Sequence, residues 1–193
     1  MIFRETPLAG AYVIDIERHA DDRGFFARTW CRDALAAHGL VSDIDQCSVS
    51  SNIHAGTVRG LHYQHTPHWE TKLVQCIRGA IFDVIVDLRI ESRTFGSFYD
   101  VELTAETRRM LYIPAGFAHG FQTLQADTEV SYAISPGYVA EASAGIRHDD
   151  PTLAIAWPLP VQKISRRDQQ LPSFAETAAL LRRQSAPAAF GPV

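Results

Sequence analysis

The chain has 193 residues, of which 46% are hydrophobic and 21% are charged, and its formal net charge at pH 7 is −4. This composition is typical of a soluble globular protein of one domain, and the charge does not indicate nucleic-acid binding. No apolar run approaches the roughly 20 residues of a transmembrane helix, and the N-terminus lacks the layout of a signal peptide. Cys31, Cys47 and Cys76 are far apart and form no C-x-x-C pair. We therefore expect reduced thiols and a cytoplasmic protein without a membrane partner.

Short extended segments, punctuated by glycine and proline, recur about every ten residues and predict a β-sandwich or barrel. The predicted strands cover residues 11–16, 25–30, 45–50, 57–64, 72–77, 80–88, 98–104, 110–114, 120–124 and 129–135. Helices are predicted only at residues 32–38 and 174–183, so the fold class is all-β with a few short peripheral helices. We expect one domain over residues 1–184 and a mobile Ala/Pro/Gly-rich tail over residues 185–193.

The most informative stretch is Arg59-Gly60-Leu61-His62-Tyr63-Gln64, which is followed ten residues after His62 by Lys72. Because side chains alternate along a strand, Val58, Gly60, His62 and Gln64 are predicted to share one face, and Arg59, Leu61 and Tyr63 the other. If the face with His62 points into a cavity, a titratable base is held there on a rigid support.

A second stretch has the pattern P-x-G-x-x-H, from Pro114 through Gly116 to His119. In a run of short strands this pattern is typical of the cupin type of jelly roll, in which one histidine from each half faces the same interior. His62 and His119 are the natural pair.

Three interpretations of these two histidines compete: a metal site, a structural pair of core histidines, and a metal-free acid–base site. Metal-binding cupins carry H-x-H followed by a glutamate, whereas the second histidine position here is Gln64. Glu70 is followed two residues later by Lys72, whose ammonium would repel a cation from the same face. The metal-free acid–base site is favoured, and no metal or other cofactor is expected.

The chain resembles the dTDP-4-dehydrorhamnose 3,5-epimerase family over almost its whole length. The resemblance rests on several segments in the same order, namely residues 22–26, 59–64, 72–74, 79–89, 94–96, 113–121, 145–147, 149–151, 155–158 and 165–169. It implies a cupin jelly roll that works as a homodimer without a cofactor on a nucleoside-diphosphate 4-keto-6-deoxyhexose. Inverting a carbon beside a ketone requires a base, a cation for the enolate oxygen and an acid on the opposite face.

The resemblance assigns these roles by position. His62 matches the base, Asp168 the carboxylate that polarises it, Lys72 the cation beside the enolate, and Tyr132 the acid. The residues implied to contact the substrate are Arg23, Phe26, Arg28, Gln46, Arg59, Lys72, His119, Tyr138, Ser143 and Arg167. Tyr138 matches the ring that stacks on the nucleotide base. Phe26 matches a packing position at the dimer interface that can reach the partner's nucleotide.

Two positions depart from the family, which often has glutamate where this chain has Arg28 and Ser143. Both lie in the nucleotide-binding part of the site, so the departures affect the identity of the nucleotide or sugar and leave the reaction class unchanged. The leading substrate is the dTDP sugar of the L-rhamnose pathway. The alternatives are a related GDP-, CDP- or dTDP-linked sugar inverted at one or both carbons, a metal-dependent cupin enzyme, and a non-catalytic sugar-binding cupin.

Overall fold

A computed structural model describes residues 1–185, and the remaining part of the predicted tail lies outside the described residues. Three helices, α1 (Arg32–Ala37), α2 (Arg166–Gln169) and α3 (Phe174–Ser185), and a 3₁₀ turn at Ala140–Ala142 accompany the strands in this part of the chain. The strands are β1 (Ile2–Glu5), β2 (Tyr12–Asp15), β3 (His19–Asp21), β4 (Gly24–Phe26), β5 (Gln46–Asn52), β6 (Val58–Gln64), β7 (Thr71–Arg78), β8 (Ala80–Asp87), β9 (Phe98–Thr104), β10 (Met110–Ile113), β11 (Phe117–Thr123), β12 (Thr128–Ser135) and β13 (Ser143–Gly145).

Two antiparallel sheets pack face to face. One has the strand order β1-β2-β10-β7-β12-β5, and the other has the order β13-β6-β11-β8-β9. The core between them is apolar, and its buried members include Val74, Leu111, Ile85, Phe117 and Phe121. Strands β3 and β4 form a separate two-stranded hairpin. The all-β jelly roll predicted from the sequence is confirmed.

Helices cover the outer faces of the sheets. On the second sheet, Leu61 and Val84 pack against Ala178 and Leu181 of α3. On the first sheet, Leu35 of α1 packs against Ile14 and Met110. No helix within residues 1–185 is both long and apolar enough to cross a membrane.

Several boundaries differ from those predicted. In place of the predicted strand 25–30, the structure has only β4. All three residues of β4 are exposed, so the strand has no buried face that would favour a longer extended segment. The predicted strand 120–124 begins earlier, at Phe117, and His119 therefore lies inside β11. The short strands β1, β3 and β13 and the helix α2 were missed, because segments of three or four residues carry little periodic signal.

The predicted face assignment of Arg59 is wrong, because a bulge interrupts the β6–β11 pairing. His119 pairs with His62, but Phe121 pairs with Arg59, so three steps along β6 match two along β11. The extra residue changes the alternation, and Arg59 and His62 both line the same cavity. Leu61 and Tyr63 lie on the outer face as predicted.

The bulge requires glycine on both strands. At Gly60, which has φ +118°, an added Cβ would lie 2.6 Å from Cα of Gly120. At Gly120, an added Cβ would lie 2.8 Å from the carbonyl oxygen of Arg59. Any side chain at either position would force the two strands apart.

A buried carboxylate at the end of β8 stabilises the turn into β9. The Asp87 side chain is fully buried and accepts hydrogen bonds from the backbone and guanidinium of Arg89 and from the hydroxyls of Ser92 and Thr94. Burial alone would raise the pKa of Asp87, but these hydrogen bonds outweigh it and lower the pKa below its ordinary value.

We expect Asp87→Ala to lower the free energy of unfolding by about 3 kcal/mol at pH 7, because it removes the acceptor of a partly buried guanidinium and of two hydroxyls. Since the pKa of Asp87 is lower in the folded chain, its stabilisation is present above about pH 4 and is lost as the pH falls through the lowered pKa. Urea unfolding at pH 7 and pH 3 measures both effects. Asp100→Ala, which removes an exposed carboxylate from β9, is the control. Equal losses in the two variants would contradict the role of Asp87.

Candidate active site

A cavity of about 540 Å³ lies beside β5 and β6. Its walls come from β5, β6, β11 and β12, and the segment leading into α2 closes one side. The lining residues are Ser50, Thr57, Val58, Arg59, His62, His119, Phe121, Tyr132, Lys163, Ile164, Ser165, Arg167 and Asp168. Of the thirteen predicted site residues, this cavity brings together six: His62, Tyr132, Asp168, Arg59, His119 and Arg167.

His62 and Asp168 form a hydrogen-bonded pair in this cavity. Nε2 of His62 lies 2.7 Å from Oδ1 of Asp168, and the other carboxylate oxygen accepts from the backbone N–H of Gly60 at 3.2 Å. Asp168 is buried in the first turn of α2, where its N–H donates to the N-cap Ser165. The His62 side chain is 38% exposed, so the ring is held at one nitrogen and open on its other side.

The ionised Asp168 determines which ring nitrogen of His62 carries a proton. Burial would raise the pKa of Asp168, but the hydrogen bonds from His62 and from Gly60 lower it overall. The carboxylate is therefore ionised at neutral pH and accepts a proton from Nε2. In the neutral form of the imidazole this leaves a lone pair on Nδ1, which can face the cavity.

A second histidine–carboxylate pair lies directly beside the first. His119 is the register partner of His62, and its Nε2 lies 2.7 Å from Oδ1 of Asp83 on the neighbouring strand β8. Both side chains are buried, with exposures of 5% and 0%. The second oxygen of Asp83 is buried and has no hydrogen-bond partner within residues 1–185. The pair therefore places a buried carboxyl group behind the cavity wall.

Tyr132 faces these histidines from the opposite sheet. It lies in β12, and its ring centroid is 6.1 Å from that of His119. Burial and the charge of Asp83 both raise the pKa of Tyr132, and Arg59 acts in the opposite direction. The phenol therefore stays protonated at neutral pH and is available as a proton donor.

Lys72 does not line the cavity. Its ammonium lies 2.9 Å from Oε2 of Glu70, and the side chain is only 11% exposed. In the sheet, Val74 is the register partner of Tyr132, and Lys72 is two residues away on the same face. Residues in such a diagonal relation are about 7–8 Å apart, within reach of a long side chain. The role of Lys72 remains a prediction.

The other predicted binding residues lie around the cavity or away from it. Arg167 Nη2 donates to the Ser143 hydroxyl at 2.7 Å, and both residues line an adjoining cavity of about 410 Å³. The Tyr138 ring is exposed. The backbone N–H of Tyr138 donates to the side-chain oxygen of Gln46 at 3.0 Å. The remaining three, Arg23, Phe26 and Arg28, belong to the β3–β4 hairpin and the residues after it and do not line the catalytic cavity.

No group of three or more His, Cys, Asp or Glu side chains in the described part of the chain is arranged to hold a metal ion. His62, His119 and Glu70 each already contact an ionisable partner, namely Asp168, Asp83 and Lys72.

Sequence reasoning missed two residues of the site. Asp83 is a carboxylate inside the apolar run Ile81-Phe82-Asp83-Val84-Ile85, which was a usable signal because an isolated charge in a buried strand needs a partner. Lys163 lies in an irregular segment, where side-chain direction has no periodic signature.

Comparison with known proteins identifies relatives of this chain. Residues 5–176 match the family model of dTDP-4-dehydrorhamnose 3,5-epimerase. A dTDP-4-dehydrorhamnose 3,5-epimerase from Sinorhizobium fredii is 42% identical over 181 residues, covering 91% of each chain. A dTDP-4-dehydrorhamnose 3-epimerase from Streptomyces niveus is 36% identical over 91% of this chain and 85% of its own. The crystal structure of dTDP-4-dehydrorhamnose 3,5-epimerase from Bacillus anthracis with TDP and PPi bound superposes with a TM-score of 0.87, at 40% identity over 90% of this chain and 99% of that one.

The fold, the imidazole–carboxylate pair and the facing phenol define a sugar-nucleotide epimerase built on a cupin jelly roll. The chain belongs to the dTDP-4-dehydrorhamnose 3,5-epimerase family.

Proposed function

We propose that the chain converts dTDP-4-dehydro-6-deoxy-D-glucose to dTDP-4-dehydro-L-rhamnose, inverting the carbons on both sides of the ketone. The observation that carries this proposal is the placement of His62 and Tyr132 on opposite walls of one cavity. A base and an acid on opposite faces of a flat enolate are what inversion of a carbon requires.

His62 acts as the base. Its Nδ1 removes the proton from the carbon next to the ketone, and the electron pair of the broken C–H bond moves into the enolate. The resulting imidazolium is stabilised by the ionised Asp168 at Nε2. This carboxylate also fixes the tautomer, because it accepts the Nε2 proton before the reaction begins.

Lys72 stabilises the enolate oxygen, and His119 contacts the substrate beside it. His119 lines the cavity beside His62. Lys72 turns away from Glu70 when the substrate ketone provides an acceptor. Donors placed where negative charge develops are worth the most in a site that excludes water.

Tyr132 completes the inversion by giving its phenolic proton to the carbon from the face opposite His62. The phenolate then regains a proton from solvent, and His62 releases its proton to solvent. Both groups return to their starting state, and the same two residues serve the second carbon.

Incubation with the dTDP substrate in deuterated water tests the proposed activity. We expect one deuteron at carbon 3 and one at carbon 5 of the product, detected by NMR and mass spectrometry. His62→Ala should slow incorporation at both carbons by about 10³-fold, because the base is missing. Thermal unfolding of the variant shows whether the fold is kept. Exchange at carbon 3 alone would indicate a 3-epimerase, and exchange only with GDP- or CDP-linked sugars would replace the proposed substrate.

Tyr132→Phe separates the acid from the base. The variant keeps His62, so we expect deuterium to return to the starting sugar on the original face while inversion falls by about 10²-fold. The measurement is the ratio of exchange to inversion at each carbon. Unchanged epimerisation would mean that another group is the acid.

We further propose a homodimer in which the β3–β4 hairpin of one chain covers the cavity of the other. The hairpin is exposed, with Phe26 74% and Phe25 47% accessible. The Arg23 guanidinium, which is 85% exposed, pairs with Asp21 of the same hairpin. An exposed phenylalanine pair and a surface arginine are typical of residues that become buried when two chains associate. The arrangement would bring Arg23, Phe26 and Arg28 to the substrate from the partner.

Dimers of two differently tagged variants test this arrangement. One chain carries His62→Ala and the other Arg23→Ala with Phe26→Ala, so that neither homodimer is active. The mixed dimer should regain about half of the wild-type activity, because one of its two sites has both an intact base and an intact hairpin. The reciprocal control places all three changes on one chain beside a wild-type chain and should be inactive. Activity in the control but not in the mixed dimer would show that the hairpin serves its own chain.

A further inference from the structure

The cavity is positively charged although the chain as a whole has a formal net charge of −4. Three side chains with permanent positive charge line it: Arg59, Arg167 and Lys163. The lining contains one carboxylate, that of Asp168, which contacts His62. A concentration of one sign of charge in a cleft attracts a ligand of the opposite sign, so the cavity is suited to an anion.

None of the three cations forms an ion pair with a carboxylate of residues 1–185. Arg59 donates to the side-chain oxygen of Asn52 at 2.7 Å and to the carbonyl of Ser51 at 3.2 Å. Arg167 donates to the Ser143 hydroxyl. These neutral acceptors orient the two guanidinium groups and leave their charge available. Lys163 is exposed and donates no side-chain hydrogen bond within the described residues.

The backbone that carries Lys163 is held firmly at the cavity wall. Its carbonyl accepts from the N–H of Val58 at 2.8 Å, and Thr57 and Lys163 form a parallel bridge. Gln162 donates its N–H to the carbonyl of Gly56 at 2.8 Å. An added Cβ at Gly56 would lie 2.7 Å from the carbonyl of Pro160, so glycine is required for this close contact.

The same segment is fixed again a few residues earlier. The side-chain amide of Gln122 donates to the carbonyl of Leu159 at 2.8 Å and accepts from its N–H at 2.9 Å. The position of Lys163 is therefore fixed by the barrel, and its ammonium is free to meet a ligand.

Two of the cations, Arg59 and Lys163, lie on one side of the catalytic base. Arg59 is three residues from His62 along the chain, and Thr57, beside which Lys163 lies, is five residues away. Arg167 reaches towards the other end of β6, where its partner Ser143 pairs with Gln64. A sugar held at His62 therefore has its anionic carrier on the side of Arg59 and Lys163.

We propose that Lys163 binds the diphosphate of the nucleotide sugar together with Arg59, and that it gives the site its preference for a diphosphate over a monophosphate. The proposal rests on the proposed function, since that function supplies the nucleoside diphosphate. A second cation contributes most when the ligand carries a second phosphate for it to contact, whereas Arg59 suffices for one phosphate.

Calorimetric titration with dTDP, dTMP and thymidine tests the role of Lys163 without any turnover. Lys163→Gln should raise the dissociation constant for dTDP about five- to tenfold, raise that for dTMP less, and leave thymidine unchanged. Lys163→Arg should retain the affinity. The difference between Lys163→Gln and wild type should shrink towards 1 M NaCl, where the screening length falls to about 3 Å.

Arg166→Gln is the matched control, because it removes the same charge from an exposed neighbour that does not line the cavity. It should leave all three affinities unchanged. Equal weakening of dTDP binding in Lys163→Gln and Arg166→Gln, or no weakening in either, would overturn the proposal.

Steady-state kinetics separate this proposal from the proposed function. With the dTDP sugar, Lys163→Gln should raise KM and leave kcat unchanged, since Lys163 is remote from the reacting carbons. If wild type binds dTDP through Lys163 but does not epimerise the sugar, the proposed function fails and the diphosphate site stands.

Discussion

The close contact between Gly60 and Gly120 is the constraint on which the site depends. Only glycine allows β6 and β11 to approach there, and the resulting bulge changes which side chains of β6 face inward. Without it, strict alternation would turn Arg59 away from the face that carries His62. A feature of the backbone alone therefore decides that the cation and the base share one cavity.

The negative charges of the site lie deeper in the protein than the positive charges. Two carboxylates hold the two histidines from behind, and both are buried, whereas Arg59 and Arg167 at the cavity surface donate to neutral hydrogen-bond acceptors. The buried charge of Asp83 helps to keep the Tyr132 phenol protonated, and in the proposed mechanism the charge of Asp168 supports a cationic His62. The protein thereby places proton donor and acceptor on opposite walls while keeping the entrance attractive to an anion.

Much of this arrangement was predictable from the sequence, and the limits have physical causes. Strand periodicity and the spacing of glycine and proline gave the all-β fold, and the resemblance gave the family. His62 and His119 were predicted from the cupin pattern to share an interior, and both line the cavity. The inward position of Arg59 was missed, since a bulge adds one residue without changing local composition. The sequence could not show whether the Lys72 ammonium enters the cavity or pairs with Glu70, because a long side chain can reach several partners.

The most direct test of the account is a crystal structure of the wild-type protein with the dTDP-4-keto sugar bound. Nδ1 of His62 and the hydroxyl of Tyr132 should lie on opposite faces of the pyranose, each about 3–3.5 Å from a carbon next to the ketone. The Lys72 ammonium should have moved from Glu70 to the ketone oxygen. A sugar with both side chains on the same face, or with the His62 ring turned away from it, would contradict the account.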